Sequence, residues 1–142
     1  MNISKFTQKS VQAVQDLEKI AYEYGNQEIE EEHLLYALLT QEDSLILKLI
    51  EKMEIQKEYF IDTVKRALDA RVKVSGGELR FGQYLNKALV SAEDEAKAMG
   101  DEYVSVEHLF LSMLKNPSPS MKKLFNEFGI TRERFLQALS TV

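Results

Sequence analysis

The sequence predicts an all-α fold of eight helices, arranged as two four-helix repeats that are related by a pseudo-twofold axis and packed into one domain. Two observations support this prediction. Apolar residues recur at steps of three and four, which is the period of an amphipathic helix rather than of a strand. The chain also matches itself at an offset of 75 residues, and self-similarity of this length indicates two copies of one structural unit.

The self-match continues without a gap through most of the chain. Its identical pairs include Phe6 and Phe81, Ala13 and Ala88, Gly25 and Gly100, His33 and His108, and Phe60 and Phe135. We therefore predict one domain over residues 1–142, with repeat one over about 1–71, a linker over about 72–79 and repeat two over about 80–142. The linker is too short to free the two repeats from each other, so we expect them to pack together.

The first helix of each repeat is predicted from an apolar stripe that ends at a glycine. Gly25 ends the stripe of repeat one and Gly100 ends that of repeat two, since glycine readily adopts the left-handed conformation of a helix C-cap. The stripe of repeat one consists of Val11, Val14, Leu17, Ala21 and Tyr24. That of repeat two consists of Phe81, Leu85, Ala88, Leu89, Ala92, Ala96 and Met99.

The second helix of each repeat is predicted to begin near Glu30 to Glu32 and at Ser105. The glutamates suit the positive end of a helix dipole, and serine is a common N-cap. We interpret the acid-rich run 28–32 as a solvated helix start.

The third and fourth helices complete each repeat. The third helices are predicted over about Ser44 to Lys52 and Ser118 to Glu127, the latter introduced by Pro117 and Pro119 in a helix-starting loop. The fourth helices are predicted from two matching apolar sets. These sets are Phe60, Ile61, Val64, Ala67 and Leu68 in repeat one, and Phe135, Leu136 and Leu139 in repeat two.

Composition disfavours several classes of function. The formal net charge of −5 argues against nucleic acid as a partner, because phosphate binding requires clustered Lys and Arg. No apolar run approaches the 18 residues of a membrane span, and no signal peptide opens the sequence, so we expect no membrane partner and a cytoplasmic location. The absence of cysteine excludes disulfides and thiolate metal sites.

The two histidines are the candidates for metal or acid–base chemistry. Neither His33 nor His108 lies in a His-Glu-x-x-His pattern, and the sequence has no Gly-x-Ser-x-Gly turn. We therefore favour structural hydrogen bonding for both histidines and expect no metal, cofactor or catalytic residue in this chain. A small metal-dependent hydrolase using one of them is the alternative from a different class.

The sequence resembles the N-terminal domain of the Clp chaperone family. The resemblance rests on a glycine followed by Ile or Val and then Glu-His-Leu, present as Gly25, Ile29 and Glu32-His33-Leu34, and again as Gly100, Val104 and Glu107-His108-Leu109. It covers the chain from Phe6 onward. Within the family, the run 101–109 and the linker 72–77 are similar to the ClpB branch.

This resemblance implies a substrate-engaging domain rather than an enzyme. Its expected partners are unfolded or aggregated polypeptides, which an attached hexameric AAA+ ATPase would thread out of aggregates. The sequence contains no Gly-x-x-x-x-Gly-Lys-Ser/Thr phosphate loop, so we expect ATP and Mg²⁺ to bind modules outside this chain. The domain by itself is expected to be monomeric. The alternative within the family is an adaptor-docking domain, as in ClpA and ClpC.

The resemblance also implies three substrate-binding residues, which are Thr7, Asp101 and Glu107. Each has a structural explanation as well: a cap of the first helix, closure of the loop after Gly100, and the first turn after Ser105. We expect both kinds of role together. Three aromatic residues, Phe6, Tyr84 and Phe110, are further possible contact residues, although a place in the core is favoured for each.

Overall fold

The computed structural model describes residues 2–142, and these residues form nine helical segments and two short strands. In chain order the elements are α1 (Gln8–Gln15), α2 (Leu17–Glu23), β1 (Glu28–Ile29), α3 (Glu31–Leu39), α4 (Leu45–Lys52), α5 (Lys57–Asp69), β2 (Arg80–Phe81), α6 (Gln83–Ala98), α7 (Val106–Lys115), α8 (Pro119–Phe128) and α9 (Arg132–Leu139).

The first two segments form one helix with a local irregularity. Asp16 separates α1 from α2, but its backbone stays in the right-handed helical region and its N–H donates to the Gln12 carbonyl. The pair spans residues 8–23, and α6 spans the equivalent residues 83–98, 75 positions later. The all-helical class and the count of eight helices are therefore confirmed.

Two short parallel pairings were not predicted. Ile29 in β1 pairs with Phe81 in β2, and Phe6 forms an equivalent bridge with Val104. The placement of Phe81 on a helical stripe is wrong. Gly82 is the N-cap of α6 and has extended backbone angles, so the residue before it belongs to the extended segment that leads into the helix.

These pairings show how the two repeats are related. The offset of 75 residues maps Phe6 onto Phe81 and Ile29 onto Val104, so each pairing is the copy of the other. In each case the segment that enters the first helix of one repeat pairs with the segment that enters the second helix of the other. Such a reciprocal exchange is the signature of a twofold relation.

The core continues across the repeats. Phe60, Phe110 and Phe135 are fully buried, and the Phe110 and Phe135 rings stack with their centroids 4.4 Å apart. Phe60 in α5 packs edge-on against Phe128 in α8 at 4.9 Å. Burial of a phenylalanine side chain contributes about 1.5–3 kcal/mol, and the contact between Phe60 and Phe128 makes part of this core common to the two repeats.

Three of the four glutamates in the acid-rich run 28–32 are buried, so its interpretation as a solvated helix start is wrong. The exposed fractions of Glu30, Glu31 and Glu32 are 6%, 0% and 2%. Glu30 Oε1 accepts the backbone N–H of Leu85 at 2.8 Å, and Glu31 Oε1 accepts that of Ser118 at 2.8 Å. Two of these carboxylates thus bind helix starts of the other repeat, where unpaired N–H groups need acceptors.

The Glu30 contact compensates for a missing cap. Thr7 caps α1 with its own hydroxyl, whereas the equivalent residue in repeat two, Gly82, has no side chain and α6 is capped by Glu30 instead. A Cβ atom at Gly82 would overlap the Glu30 carboxyl group. Glycine is needed here for space and not for backbone freedom, because its φ of −74° suits any residue.

Replacing Gly82 with alanine is expected to lower the free energy of unfolding by about 2 kcal/mol, because it displaces the carboxylate that caps α6. Urea unfolding measures the change. The double variant Glu30→Ser/Gly82→Thr copies Ser105 and Thr7 into these positions and is expected to regain most of the loss. A Gly82→Ala protein as stable as wild type would contradict the capping role.

Candidate functional site

The three candidate residues lie where the N-terminal segment meets the loop between α6 and α7. The Thr7 backbone N–H donates to the Val104 carbonyl at 2.9 Å, and the Val104 N–H donates to the Lys5 carbonyl at 2.8 Å. Asp101 precedes Val104 by three residues and Glu107 follows it by three. The parallel bridge therefore brings Thr7, which is distant in sequence, to the segment 101–107 that carries the other two.

Thr7 has the capping role expected of it. Its Oγ1 accepts the backbone N–H of Ser10 at 3.3 Å and donates to the Ser10 hydroxyl at 3.1 Å. The residue is half-buried. Its side chain thus stabilises the start of α1 at the edge of the candidate site.

Asp101 is held by a buried histidine. Gly100 adopts the left-handed conformation with φ +74°, and the Asp101 N–H then closes the helix end on the Ala96 carbonyl at 2.8 Å. His108 Nδ1 accepts the Ser105 N–H at 2.8 Å, so the ring proton lies on Nε2 and is donated to Asp101 Oδ2 at 2.8 Å. One side-chain oxygen of Asp101 is fixed while 46% of the side chain stays exposed.

His33 makes the same pair of contacts in repeat one. Its Nδ1 accepts the Glu30 N–H at 2.9 Å, and its Nε2 contacts Asn26 Oδ1 at 2.9 Å. Burial, reinforced by the positive charge of Arg71, lowers the pKa of His33 to about 4, so the ring is neutral at physiological pH. Both histidines therefore have the structural hydrogen-bonding role that the sequence favours. Residues 2–142 contain no group of three or more His, Asp or Glu side chains that could hold a metal ion.

Glu107 lies in the first turn of α7, as expected, and is half-buried. Within residues 2–142 its carboxylate makes no side-chain hydrogen bond or ion pair. Its equivalent in repeat one, Glu32, is buried and binds both Arg71 at 3.0 Å and Ser120 at 2.9 Å. The two copies of this glutamate thus differ in their availability to a ligand.

The apolar candidates divide between core and surface. Phe6 and Phe110 belong to the core, with exposed fractions of 9% and 0%, whereas Tyr84 is half-buried. Sequence reasoning missed two apolar side chains beside Asp101. Tyr103 is 51% exposed, and Met99, which was placed on the core stripe of α6, is 38% exposed. Met99 is the C-cap of α6, where the helical stripe no longer fixes the direction of a side chain.

The loop 99–107, which includes the first two residues of α7, therefore combines exposed carboxylates with exposed apolar surface. Asp101 and Glu102 lie beside Met99 and Tyr103 in the sequence, and the buried His108 fixes the backbone between them. Such a surface suits an extended polypeptide, because carboxylates accept hydrogen bonds from N–H groups while apolar side chains bind without directional constraints. In the described part of the chain, no helix is long and apolar enough to cross a membrane.

Comparison with known proteins identifies the family. Residues 5–140 match the Clp repeat (R) N-terminal domain. A chaperone protein ClpB from Nitratidesulfovibrio vulgaris is 40% identical over 148 aligned residues, which cover 100% of this chain and 17% of the relative. The chain thus spans about a sixth of the length of this relative.

Solved structures show the same fold. The Hsp104 N-terminal domain from Candida albicans superposes with a TM-score of 0.78 at 20% identity, covering 95% of this chain and 89% of that one. A ClpV N-domain in complex with a VipB peptide gives a TM-score of 0.73 at 22% identity, covering 97% of this chain and 89% of that one. The resemblance inferred from the Glu-His-Leu repeats is confirmed, and this chain belongs to the Clp repeat (R) N-terminal domain family.

Proposed function

We propose that this chain is the substrate-engaging domain of a ClpB-type disaggregating chaperone and that it binds exposed hydrophobic segments of unfolded or aggregated proteins. The observation that carries the proposal is the loop 99–107, in which the exposed carboxylate of Asp101 lies beside the exposed apolar side chains of Met99 and Tyr103. Thr7, Asp101 and Glu107 are the proposed contact residues. The division into repeats at about 1–71 and 80–142, joined by the linker 72–79, belongs to the same proposal.

The whole protein that we propose contains more than this chain. Its ClpB relative is about six times longer, which leaves room for AAA+ modules that bind ATP and Mg²⁺. In this view the domain holds a polypeptide segment, and the hexameric motor pulls it. A cytoplasmic location and a monomeric isolated domain are part of the proposal.

A relative with the same fold offers support for a peptide ligand. The ClpV N-domain has been solved with a VipB peptide, so the fold accommodates a polypeptide in that protein. We carry over only this capacity to the present chain. The contact residues proposed here follow from the family resemblance, and the exposure of the Asp101 side chain in this chain supports the choice.

Binding is expected to be weak. Burial of apolar surface contributes about 25 cal/mol per Å², and the apolar side chains of the loop are few. Most of this gain is offset by the loss of freedom of an extended chain on binding. We therefore expect dissociation constants in the micromolar range or above, with little dependence on which apolar residues the segment carries.

The triple variant Thr7→Ala/Asp101→Asn/Glu107→Gln is expected to weaken binding of a permanently unfolded test protein by at least about tenfold, because it removes two carboxylates and a hydroxyl. Fluorescence anisotropy with reduced, carboxymethylated α-lactalbumin measures the affinity. Asn26 makes the equivalent histidine contact in repeat one, so Asp101→Asn preserves the loop.

A matched control separates contact roles from stability. The variant Thr131→Ala/Asp94→Asn/Glu133→Gln also removes one helix cap, here that of α9, and changes two carboxylates to amides. It is expected to bind the test protein as wild type does. Equal affinities of the two triple variants would contradict the assignment of the site.

The adaptor-docking function of ClpA- and ClpC-type domains is the alternative proposal. Capture from a cell lysate distinguishes the two. A single folded partner in stoichiometric amount would favour docking of an adaptor. A heterogeneous set of denatured proteins would favour the capture of unfolded chains.

A further inference from the structure

The linker between the repeats covers the repeat-one copy of the candidate site. Counted from Arg71, the residue just before it, the linker lies along the loop that follows α2 as far as Val74. Asn26 Nδ2 donates to the Val72 carbonyl at 3.1 Å, and the Val74 N–H donates to the Gly25 carbonyl at 2.9 Å. The linker thus binds this loop through its main chain, as an extended peptide would.

The cationic side chains of the linker add a second set of contacts. The Arg71 guanidinium binds Glu32 at 3.0 Å and Glu28 at 3.2 Å. The Lys73 ammonium group donates to the Tyr24 carbonyl at 2.6 Å. Val72 and Val74, in contrast, remain 80% and 41% exposed. Recognition therefore depends on the main chain and on alternate basic residues, whereas the positions between them are free to vary.

The two loops are copies in structure as well as in sequence. Gly25 and Gly100 have φ angles of +71° and +74°. Asn26 and Asp101 close the preceding helices through identical 2.8 Å backbone hydrogen bonds, and each contacts the histidine seven residues later. The surface on which the linker lies in repeat one therefore has a counterpart in repeat two.

That counterpart is uncovered. Asn26 is 3% exposed as a residue, whereas the Asp101 side chain is 46% exposed. Within residues 2–142, no backbone N–H donates to the Gly100 carbonyl, although the equivalent Gly25 carbonyl accepts from the linker. In this described part of the chain, Glu107 also has no arginine partner such as Arg71 is for Glu32. Each contact point that the linker fills in repeat one is open in repeat two.

The open copy has exposed acidic residues at two positions where repeat one has amides. Asn26 and Gln27 of repeat one correspond to Asp101 and Glu102 of repeat two. Glu28, the second partner of Arg71, corresponds to Tyr103, whose ring can stack against a guanidinium group. These replacements favour a cationic ligand, and arginine in particular.

We propose that the loop 99–107 binds an extended polypeptide segment that carries basic side chains at alternate positions, in the manner in which the linker Arg71–Val74 binds the equivalent loop of repeat one. An arginine of the ligand binds Glu107, and a main-chain N–H two or three residues later binds the Gly100 carbonyl. Asp101 accepts hydrogen bonds where Asn26 donates one, so it binds an N–H group or a cation. This inference rests on the proposed function and specifies which segments the site prefers.

The chain's own linker sequence supplies the probe. A synthetic peptide of residues 70–75, Ala-Arg-Val-Lys-Val-Ser with blocked ends, is titrated into the ¹⁵N-labelled domain. We expect amide shift changes at residues 99–107, and we expect binding to weaken with salt because the contacts are between charges at the surface. The peptide with Arg and Lys changed to Gln is expected to bind about fivefold more weakly, because it cannot form ion pairs with the carboxylates of the loop.

Variants of the domain test the contacts. Asp101→Asn/Glu107→Gln is expected to weaken binding of the linker peptide by about fivefold or more. The control Asp94→Asn/Glu133→Gln changes net charge equally and is expected to leave affinity unchanged. If both double variants lost affinity for the peptide equally, the effect would be due to net charge alone, and the proposal would be overturned.

The outcomes separate this inference from the proposed function. If the unfolded test protein binds at Thr7, Asp101 and Glu107 but the linker peptide does not bind, the inference fails and the proposed function stands. Shift changes at residues 24–32, produced by displacement of the linker, would also overturn the inference. Specific peptide binding without binding of the unfolded protein would support the ligand chemistry and contradict the proposed function.

Discussion

The free energy of unfolding of the wild-type protein is expected to lose a contribution of about 5 kcal/mol between pH 4.5 and 8, and replacement of Glu31 by glutamine is expected to remove this loss. Burial, the main cause, raises the pKa of Glu31 from 4.5 to about 8, and the negative charges of Glu30 and Glu32 add to the shift. The folded protein therefore keeps a proton that the unfolded chain releases. The contribution to stability is complete below pH 4.5 and is lost as the pH rises to 8.

Glutamine preserves the important contact of Glu31. Its side-chain oxygen can still accept the Ser118 N–H, which Glu31 Oε1 accepts at 2.8 Å, but it carries no charge to bury. Urea unfolding of wild type and Glu31→Gln at pH 5, 6.5 and 8 measures the difference. We expect the two proteins to converge at pH 5 and the variant to be more stable at pH 8.

An exposed glutamate serves as the control. Glu133 lies in the first turn of α9 and is exposed, so Glu133→Gln is expected to change stability by little at any of these pH values. A difference between the free energies of unfolding of wild type and Glu31→Gln that stayed the same at every pH would contradict this account. That result would show that Glu31 is ionised in the folded protein and that burial does not raise its pKa.

The contribution of His33 to stability is expected to change with pH in the opposite direction, so that it is lost at low pH. Burial lowers its pKa from 6.5 to about 4, so the unfolded chain takes up a proton that the folded protein excludes. The contribution to stability is complete above pH 6.5 and is lost as the pH falls to 4, by about 3 kcal/mol. Because Nδ1 accepts the Glu30 N–H, a proton on this nitrogen would break the N-terminal hydrogen bond of α3.

NMR titration of the imidazole protons measures this pKa directly, since the chain has only two histidines. We expect the His33 resonance to show no titration down to about pH 5. The variant Asn26→Asp places a carboxylate beside Nε2, as Asp101 lies beside His108, and is expected to raise the pKa of His33. A His33 that titrates near 6.5 in the wild-type protein would show that the ring is solvated or that its contacts differ.

Most of the helices could be predicted because the information is local. The stripe from Val11 to Tyr24, the cap at Ser44 and the glycines that end the first helices each act within a few residues of the chain. Because the chain contains two repeats, most of these local signals occur twice. Phe81 was misplaced because its apolar side chain fits the helical period, while the extended backbone at Gly82 arises from pairing with the other repeat.

The buried carboxylates could not be predicted in this way. A run of acidic residues before a helix is usually solvated, but Glu30 and Glu31 bind N–H groups that lie 55 and 87 residues further along the chain. The one local clue was Gly82, a residue without a capping side chain at a position where repeat one has Thr7. Comparing the repeats residue by residue would have exposed this difference.

The candidate site depended on the family resemblance. The types of residue at Thr7, Asp101 and Glu107 are ordinary for caps and first turns, so the residues alone did not indicate binding. The role of both histidines, in contrast, followed from the absence of further metal ligands, and their hydrogen bonds agree with it. The contact between Arg71 and Glu32 was missed because a linker of this composition is usually flexible.

The most direct test of the proposed function is to map where an unfolded protein binds. Amide resonances of the ¹⁵N-labelled domain are followed during titration with reduced, carboxymethylated α-lactalbumin. We expect shift changes to concentrate at residues 5–7 and 99–107, with the equivalent loop 24–32 unaffected beneath its linker. Changes confined to other surfaces, or equal changes in both loops, would contradict a single open site in repeat two.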